Sequence, residues 1–120
     1  MTPKMLRLLR TSLGLTQNAL AEKAGVIPRT VRRWEQANGE FPVPGEVADW
    51  LTSQWGLYAD KVNDALEQER EGSAVEIRVY TDDVECITET GLSLSEYDAL
   101  IGHVVMALTC RGMAYSLRER

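Results

Sequence analysis

The sequence predicts a mainly α-helical fold, with two short helices joined by a tight turn near the N-terminus, a long connecting helix and a small α+β C-terminal part. Residues 15–35 contain two helical patterns separated by a glycine. Residues 45–71 contain no proline and carry apolar residues at alternating spacings of four and three. Residues 75–79 alternate apolar and polar side chains, which is the period of a half-buried strand.

Length and composition limit the class of protein. The chain of 120 residues is long enough for one compact domain or two small ones, and its 44% hydrophobic content is ordinary for a globular chain. No apolar run reaches the roughly 18 residues of a membrane span. Arg7 and Arg10 interrupt the leucine-rich start, so residues 1–14 are interpreted as a helix rather than a signal sequence. We expect a cytoplasmic protein without a membrane partner.

Charge is distributed unevenly along the chain, whose net charge is −5. Residues 1–40 contain seven basic and three acidic side chains, a balance of +4, whereas residues 41–120 contain six basic and fifteen acidic side chains, a balance of −9. A basic module joined to an acidic remainder is typical of proteins in which one end faces phosphates.

The first helix is predicted from Thr2, a capping residue, and Pro3, which suits the first helical position. Gly14 ends this helix. Its apolar stripe is expected to consist of Met5, Leu6, Leu9 and Leu13.

The next two helices flank Gly25, where the backbone needs a left-handed residue. Thr16 caps a helix over about 17–23, and Pro28 begins another that runs to about Gln36. On the latter helix Ile27, Val31 and Trp34 are expected to point to one side. Three arginines lie on or beside the opposite face: Arg29, Arg32 and Arg33.

The motif in this stretch is specific: Leu15-Thr16-Gln17, Leu20-Ala21, Ala24-Gly25-Val26, Thr30-Val31 and Trp34-Glu35 occur in register. It resembles the Cro and phage-repressor (Xre) family of helix-turn-helix DNA-binding domains. The resemblance implies a lambda-repressor-like head whose second motif helix enters the major groove of double-stranded DNA.

Several residue roles follow from the resemblance. It implies an ion pair between Arg10 and Glu35, and a contact between Gln17 and a phosphate. Ile27 and Pro28 depart from the family pattern, and neither can donate a hydrogen bond to a base edge. The expected DNA-binding residues are Gln17, Pro28, Arg29, Thr30, Arg32 and Arg33.

A turn at Asn38-Gly39 and the rigid stretch 41–45 end the head, which we assign to residues 1–43. Residues 44–120 form the connecting helix and the C-terminal dimerisation region. The helix over 44–71 completes the head with its first half, and a kink or break at Gly56 is the alternative. Its apolar stripe is thickened by four further residues, of which both tryptophans are interpreted as core or dimer contacts: Trp50, Trp55, Leu57 and Leu66.

After the strand over 75–79, a short helix from Thr81 to about Thr88 is expected to bury Val84 and Ile87. Ser93 and Glu96 form a capping box that starts a further helix, which ends at Arg111 and Gly112. Residues 113–117 are left open as a short strand or a tail. The apolar face of the last helix is expected to consist of Tyr97, Leu100, Ile101, Val104, Val105 and Leu108.

The sequence offers no pattern for catalysis, a cofactor or a metal. Cys86 and Cys110 are too few for a zinc site and are interpreted as reduced core residues. The acidic residues at 82, 83 and 85 lack calcium-loop spacing. His103 lies off the apolar stripe and is interpreted as a surface or interface residue, so we expect that the protein is not an enzyme.

The resemblance implies a transcriptional repressor. The C-terminal part carries more apolar surface than so small a unit can bury alone, which favours a homodimer, and a twofold dimer is expected to bind an inverted repeat. The order of its elements is similar to that of the anti-CRISPR-associated repressors, which dimerise through this part. Two alternatives stay open. One is an antitoxin-type regulator whose C-terminal half binds a toxin-like protein, and the other is RNA binding by the basic face.

Overall fold

The structure, a computed structural model, describes residues 1–119 and is mainly helical, with 64% of these residues in helices. This confirms the predicted fold class. The chain divides into two compact units, here named the N-terminal unit (Met1–Gly56) and the C-terminal unit (Leu57–Arg120). The elements are α1 Pro3–Ser12, α2 Gln17–Ala24, α3 Pro28–Trp34, α4 Gly45–Arg70, β1 Val75–Arg78, α5 Asp83–Thr90, α6 Leu94–Cys110 and β2 Tyr115–Arg118.

The helix starts of the N-terminal unit are set by local hydrogen bonds. The hydroxyl of Thr2 accepts from the Met5 N–H at 3.1 Å, and that of Thr16 accepts from the Ala19 N–H at 3.0 Å. Gly25 ends α2 with φ of 72°, a left-handed conformation that a side chain would strain. The predicted starts and the turn are therefore found where the sequence placed them.

The core of the N-terminal unit is mainly aliphatic, with one tryptophan, and almost fully buried: Leu6, Leu13, Leu15, Leu20, Val31, Trp34 and Leu51. Two expectations were wrong, because Met5 is 46% exposed and Ile27 is 62% exposed. Met5 lies a quarter-turn away from Leu6, on the edge of the packed face. Ile27 is the N-cap of α3, so its side chain precedes the helix and does not follow its periodicity.

Helix α4 runs from Gly45 to Arg70 without an interruption at Gly56, where an added Cβ would meet nothing within 4 Å. Leu51, Tyr58 and Leu66 are buried along its predicted stripe. The thickening of the stripe was predicted wrongly for Leu57, which is 54% exposed. Trp55 is 37% exposed, so it is not a core residue of the single chain, and its role as a dimer contact stays a prediction.

The C-terminal unit contains a two-stranded parallel sheet, and the segment left open as a strand or a tail is strand β2. Val75 pairs with Tyr115 and Ile77 with Leu117. Helices α5 and α6 form the crossover between the strands. The buried apolar residues of this unit are Tyr58, Leu66, Val75, Ile77, Cys86, Leu100, Val104 and Leu108.

Helix α5 is rotated relative to the sequence-based expectation. Val84 is 71% exposed and Ile87 is 47% exposed, whereas Cys86 is fully buried. The helix starts at Asp83, with Asp82 as its cap, and it is Cys86 and Thr90 that line its inner face. Cys110 is also a correction, since it lies exposed at the end of α6; both thiols are free.

Candidate nucleic-acid interface

Helix α3 is fixed by one face and displays the other. Val31 is fully buried and Trp34 is 6% exposed, and these two residues anchor the helix in the N-terminal unit. Arg29, Arg32 and Arg33 are all exposed. Arg29 and Arg33 are four residues apart, so they project from one side of the helix about a turn from each other.

The first turn of α3 is formed without a polar cap. Pro28 occupies the first helical position, and the N-cap residue Ile27 makes no side-chain cap hydrogen bond. Pro28 and Thr30 are half-buried. The start of α3 therefore presents the apolar side chain of Ile27, which is 62% exposed, next to the arginines.

A hydrogen-bonded network around Glu35 ties the three helices together. Arg10 donates from Nε to Glu35 Oε2 at 2.6 Å and from Nη2 to Oε1 at 3.0 Å. Its Nη1 donates to the Leu15 carbonyl at 2.9 Å, so the guanidinium also holds the segment that precedes α2. The ion pair implied by the resemblance is present, and it is nearly buried, with 10% and 7% of the two side chains exposed.

Gln17 belongs to the same network. Its Nε2 donates to Glu35 Oε1 at 3.3 Å, and the residue is half-buried at the first position of α2. The first turn of a helix also leaves backbone N–H groups without an intrahelical partner, which favours an anion nearby. Gln17 is thus placed next to a helix N-terminus and is oriented by the carboxylate that orients Arg10.

Arg33 is held in a way that the sequence did not predict. Its guanidinium carbon lies 5.1 Å from the centre of the Phe41 ring, within the range of a cation–π contact. Phe41 is the only phenylalanine in the chain and stands before Pro42, in the stretch that ends the head. A lone aromatic residue shortly after a basic helix was the available signal.

Arg29 and Arg32 differ from Arg33. Within residues 1–119, neither guanidinium takes part in an ion pair, a hydrogen bond or a ring contact. Both charges are therefore available to an external ligand. Together with the +4 balance of residues 1–40, they make this face of α3 suited to a polyanion.

The other clusters considered in the sequence have structural partners. Asp82 caps α5 by accepting from the Glu85 N–H at 3.0 Å, and Asp83 accepts from the Leu94 N–H at 2.8 Å. His103 is half-buried, with its ring centre 6.4 Å from that of Tyr58. Across the described part of the chain, no group of three metal-binding side chains is found.

None of the helices within residues 1–119 combines the length and the apolar character needed to cross a bilayer.

Comparison with protein families agrees with this geometry. Residues 6–40, which include α2, the turn at Gly25 and α3, match the helix-turn-helix family. The segment is thus the DNA-binding element of a transcription regulator. More specifically, it is a helix-turn-helix of the Cro and phage-repressor type, the Xre family, as the sequence motif predicted. No curated protein matches the chain.

Proposed function

We propose that the protein is a homodimeric repressor that binds an inverted-repeat operator through α3. The observation that carries the proposal is the exposed arginine face of α3, anchored from behind by Val31 and Trp34 and braced by the Arg10–Glu35 pair. A rigid helix with free cations at its start suits the major groove, where a recognition helix presents its N-terminal residues to base edges.

Arg29 is the proposed base-reading residue. It lies in the first turn of α3, it is exposed, and its guanidinium has no partner within the described residues. An arginine in the groove pairs bidentately with guanine, which discriminates against a wrong base by about 1–3 kcal/mol.

The remaining residues are proposed to position the head. Gln17, at the start of α2, contacts a phosphate, as do Arg32 and Arg33 further along α3. Pro28 and Thr30 are proposed to pack against the groove wall beside Arg29. Contacts to phosphates set the register of the protein on the duplex without reading its sequence.

The proposed division of labour follows the charge of the chain. Residues 1–43, completed by the start of the helix over 44–71, bind DNA, and residues 44–120 dimerise. The excess of acidic side chains after residue 40 repels phosphates and so restricts binding to the head. A twofold dimer presents its two recognition helices about 34 Å apart, which requires an inverted repeat. Binding within a promoter then represses by occlusion.

Selection of duplexes from a random library by the purified protein tests the proposal. We expect an inverted repeat with half-sites one helical turn apart. A reporter gene placed behind the selected site should be repressed by the wild-type protein and not by Arg29→Ala. Enrichment of a single half-site would contradict the dimer, and binding that depends on salt but not on sequence would contradict a specific regulator.

A further inference from the structure

Strand β2 is exposed at every position. Tyr115 is 40% exposed and Leu117 is 58% exposed, although their register partners in β1, Val75 and Ile77, are only 4% and 7% exposed. Partners in a parallel pair point to the same face of the sheet. The apolar face of the sheet is therefore covered over β1 and uncovered over β2.

The outer edge of β2 also has free backbone groups. The Val79 N–H donates to the Arg118 carbonyl at 2.8 Å, so the backbone of Arg118 faces β1. Because this orientation alternates along a parallel strand, Ser116 also faces β1, and Tyr115 and Leu117 direct their N–H and C=O outward. Among residues 1–119, no hydrogen bond outside the strand pair reaches these outward groups.

The opposite edge of the sheet is protected. By the same alternation, the backbone of Arg78 in β1 points away from β2, and its carbonyl accepts from the Tyr97 hydroxyl at 2.7 Å. A side chain of α6 thus protects the edge of β1 at Arg78, whereas no hydrogen bond within residues 1–119 reaches the outward backbone groups of β2. An uncovered edge with apolar side chains is a template for pairing with another strand.

We infer that a second copy of this chain pairs with β2 along this edge, antiparallel, with Ser116 opposite Ser116 and Tyr115 opposite Leu117 of the other copy. The inference rests on the homodimer proposed above and specifies its interface. A twofold axis perpendicular to the sheet keeps Tyr115 and Leu117 of both copies on one face. The resulting sheet has four strands, above the size at which a sheet is stable on its own.

The proposed register is preferred to the one with Leu117 opposite Leu117 because of the side chains that each register brings together. With Ser116 opposite Ser116, two Tyr115–Leu117 pairs form, and Arg118 faces Ala114, so no like charges oppose each other. With Leu117 opposite Leu117, the ring of Tyr115 would instead lie against the carboxylate of Glu119. The first register buries apolar surface against apolar surface on both sides of the axis.

Two copies of β2 can approach each other even though residues 41–120 carry a charge balance of −9, because the charges near the sheet are paired. Arg118 Nε lies 2.7 Å from Glu76 Oε1, and Arg78 Nη2 lies 2.9 Å from Glu85 Oε1. Each cation at the sheet is thus paired with an anion of the same chain. The region that meets the second copy is therefore close to neutral. Strand β2 of a second copy, which is complementary to itself in the proposed register, can pair with this edge.

A disulfide test uses the full chain in a Cys110→Ser background, which removes the exposed thiol. The backbone of Ser116 faces β1, so Ser116 opposite Ser116 would be a non-hydrogen-bonded antiparallel pair. The Cα atoms of such a pair are about 4.5 Å apart, within the range of a disulfide. Ser116→Cys should therefore give a covalent dimer as the main species on mild oxidation. Ala114→Cys, equally exposed two residues earlier, is the matched control and should stay largely monomeric on a non-reducing gel.

Sedimentation equilibrium without DNA separates the two proposals. If the wild-type protein is a dimer and Ser116→Cys does not crosslink, the edge is not the interface and the proposal is overturned, while the homodimer stands. If the wild-type protein is a monomer at micromolar concentration, both the proposed homodimer and the proposed pairing of β2 with a second copy are wrong.

A substitution of an apolar residue by a charged one provides a second test of this interface. Leu117→Asp should shift the protein to a monomer with an unchanged far-UV circular dichroism spectrum, and Val84→Asp, at an exposed apolar position of α5, should leave it a dimer. A folded dimeric Leu117→Asp would overturn the proposal. If this variant unfolds, the crosslinking result alone decides.

Discussion

Arg10 and Glu35 are joined by two nearly buried hydrogen bonds, and the same carboxylate accepts from Gln17. The contact links α1 to the end of α3 across 25 residues of sequence. It places a bracing pair at the C-terminal end of the helix that carries the exposed arginines, so we expect stability and DNA binding to depend on neighbouring but different side chains.

Arg10→Ala should destabilise the protein more than it weakens intrinsic binding. Removing one partner of a buried pair leaves the other charge unpaired, which costs about 3–5 kcal/mol of unfolding free energy. Urea denaturation measures this loss, and Arg7→Ala, an exposed arginine on the same helix, is the control. A variant that keeps its melting temperature and loses DNA binding would show that Arg10 contacts DNA instead.

Gln17→Ala should weaken binding to every duplex sequence to a similar extent. A lost hydrogen bond from the neutral amide to a charged phosphate is worth about 1.5–3 kcal/mol, or at least roughly tenfold in Kd. The slope of log Kd against log salt should not change, because Gln17 carries no charge. Asn18→Ala, one residue later and exposed, serves as the control. Relaxed preference at a single base pair would mean that Gln17 reads a base.

Phe41→Ala should lower the affinity for DNA by about 0.5–1 kcal/mol, because Arg33 loses the ring that orders its guanidinium. Phe41→Tyr keeps an aromatic face and should bind as the wild type does. In a double-mutant cycle, Phe41→Ala should add little to Arg33→Ala. Additive losses would show that Phe41 acts independently of Arg33.

The two thiols should react at very different rates. Cys110 is exposed, whereas Cys86 is fully buried, and burial raises the pKa of the Cys86 thiol. Because the thiolate is the reactive form, a thiol reagent should modify one cysteine quickly in the native protein and both in denaturant. Cys110→Ser should remove the fast reaction. Equal rates in the native protein would indicate that the C-terminal unit opens readily.

Elements whose cause is local were predicted well from the sequence. The caps Thr2, Thr16 and Ser93 each bond a backbone N–H three residues ahead, and such bonds need no distant partner. The turn at Gly25 depends only on backbone conformation. The helix-turn-helix motif is local in the same sense. Its helices and the resemblance to its family could therefore both be predicted from one short stretch of sequence.

The errors concern which surfaces become covered. Periodicity places Val84 and Ile87 on one side of α5, but the helix packs through Cys86. The spacing of apolar residues does not predict which side of this helix is buried. The pairing of β1 with β2 joins segments 40 residues apart, so the sequence left 113–117 undecided. The contact of Arg33 with Phe41 was missed because it depends on the path of the chain after α3.

Base reading by α3 is tested by measuring the affinity of the wild-type protein and of Arg29→Ala for the selected operator and for a panel of operators in which each base pair is changed in turn. We expect Arg29→Ala to lose discrimination at one guanine-containing pair in each half-site, by about 1–3 kcal/mol, and to keep it elsewhere. Arg32→Ala, which is proposed to lose a phosphate contact, should weaken all sequences alike. If Arg29→Ala also weakens every sequence equally, α3 does not read bases through Arg29, and the proposed sequence-specific recognition by this residue is contradicted.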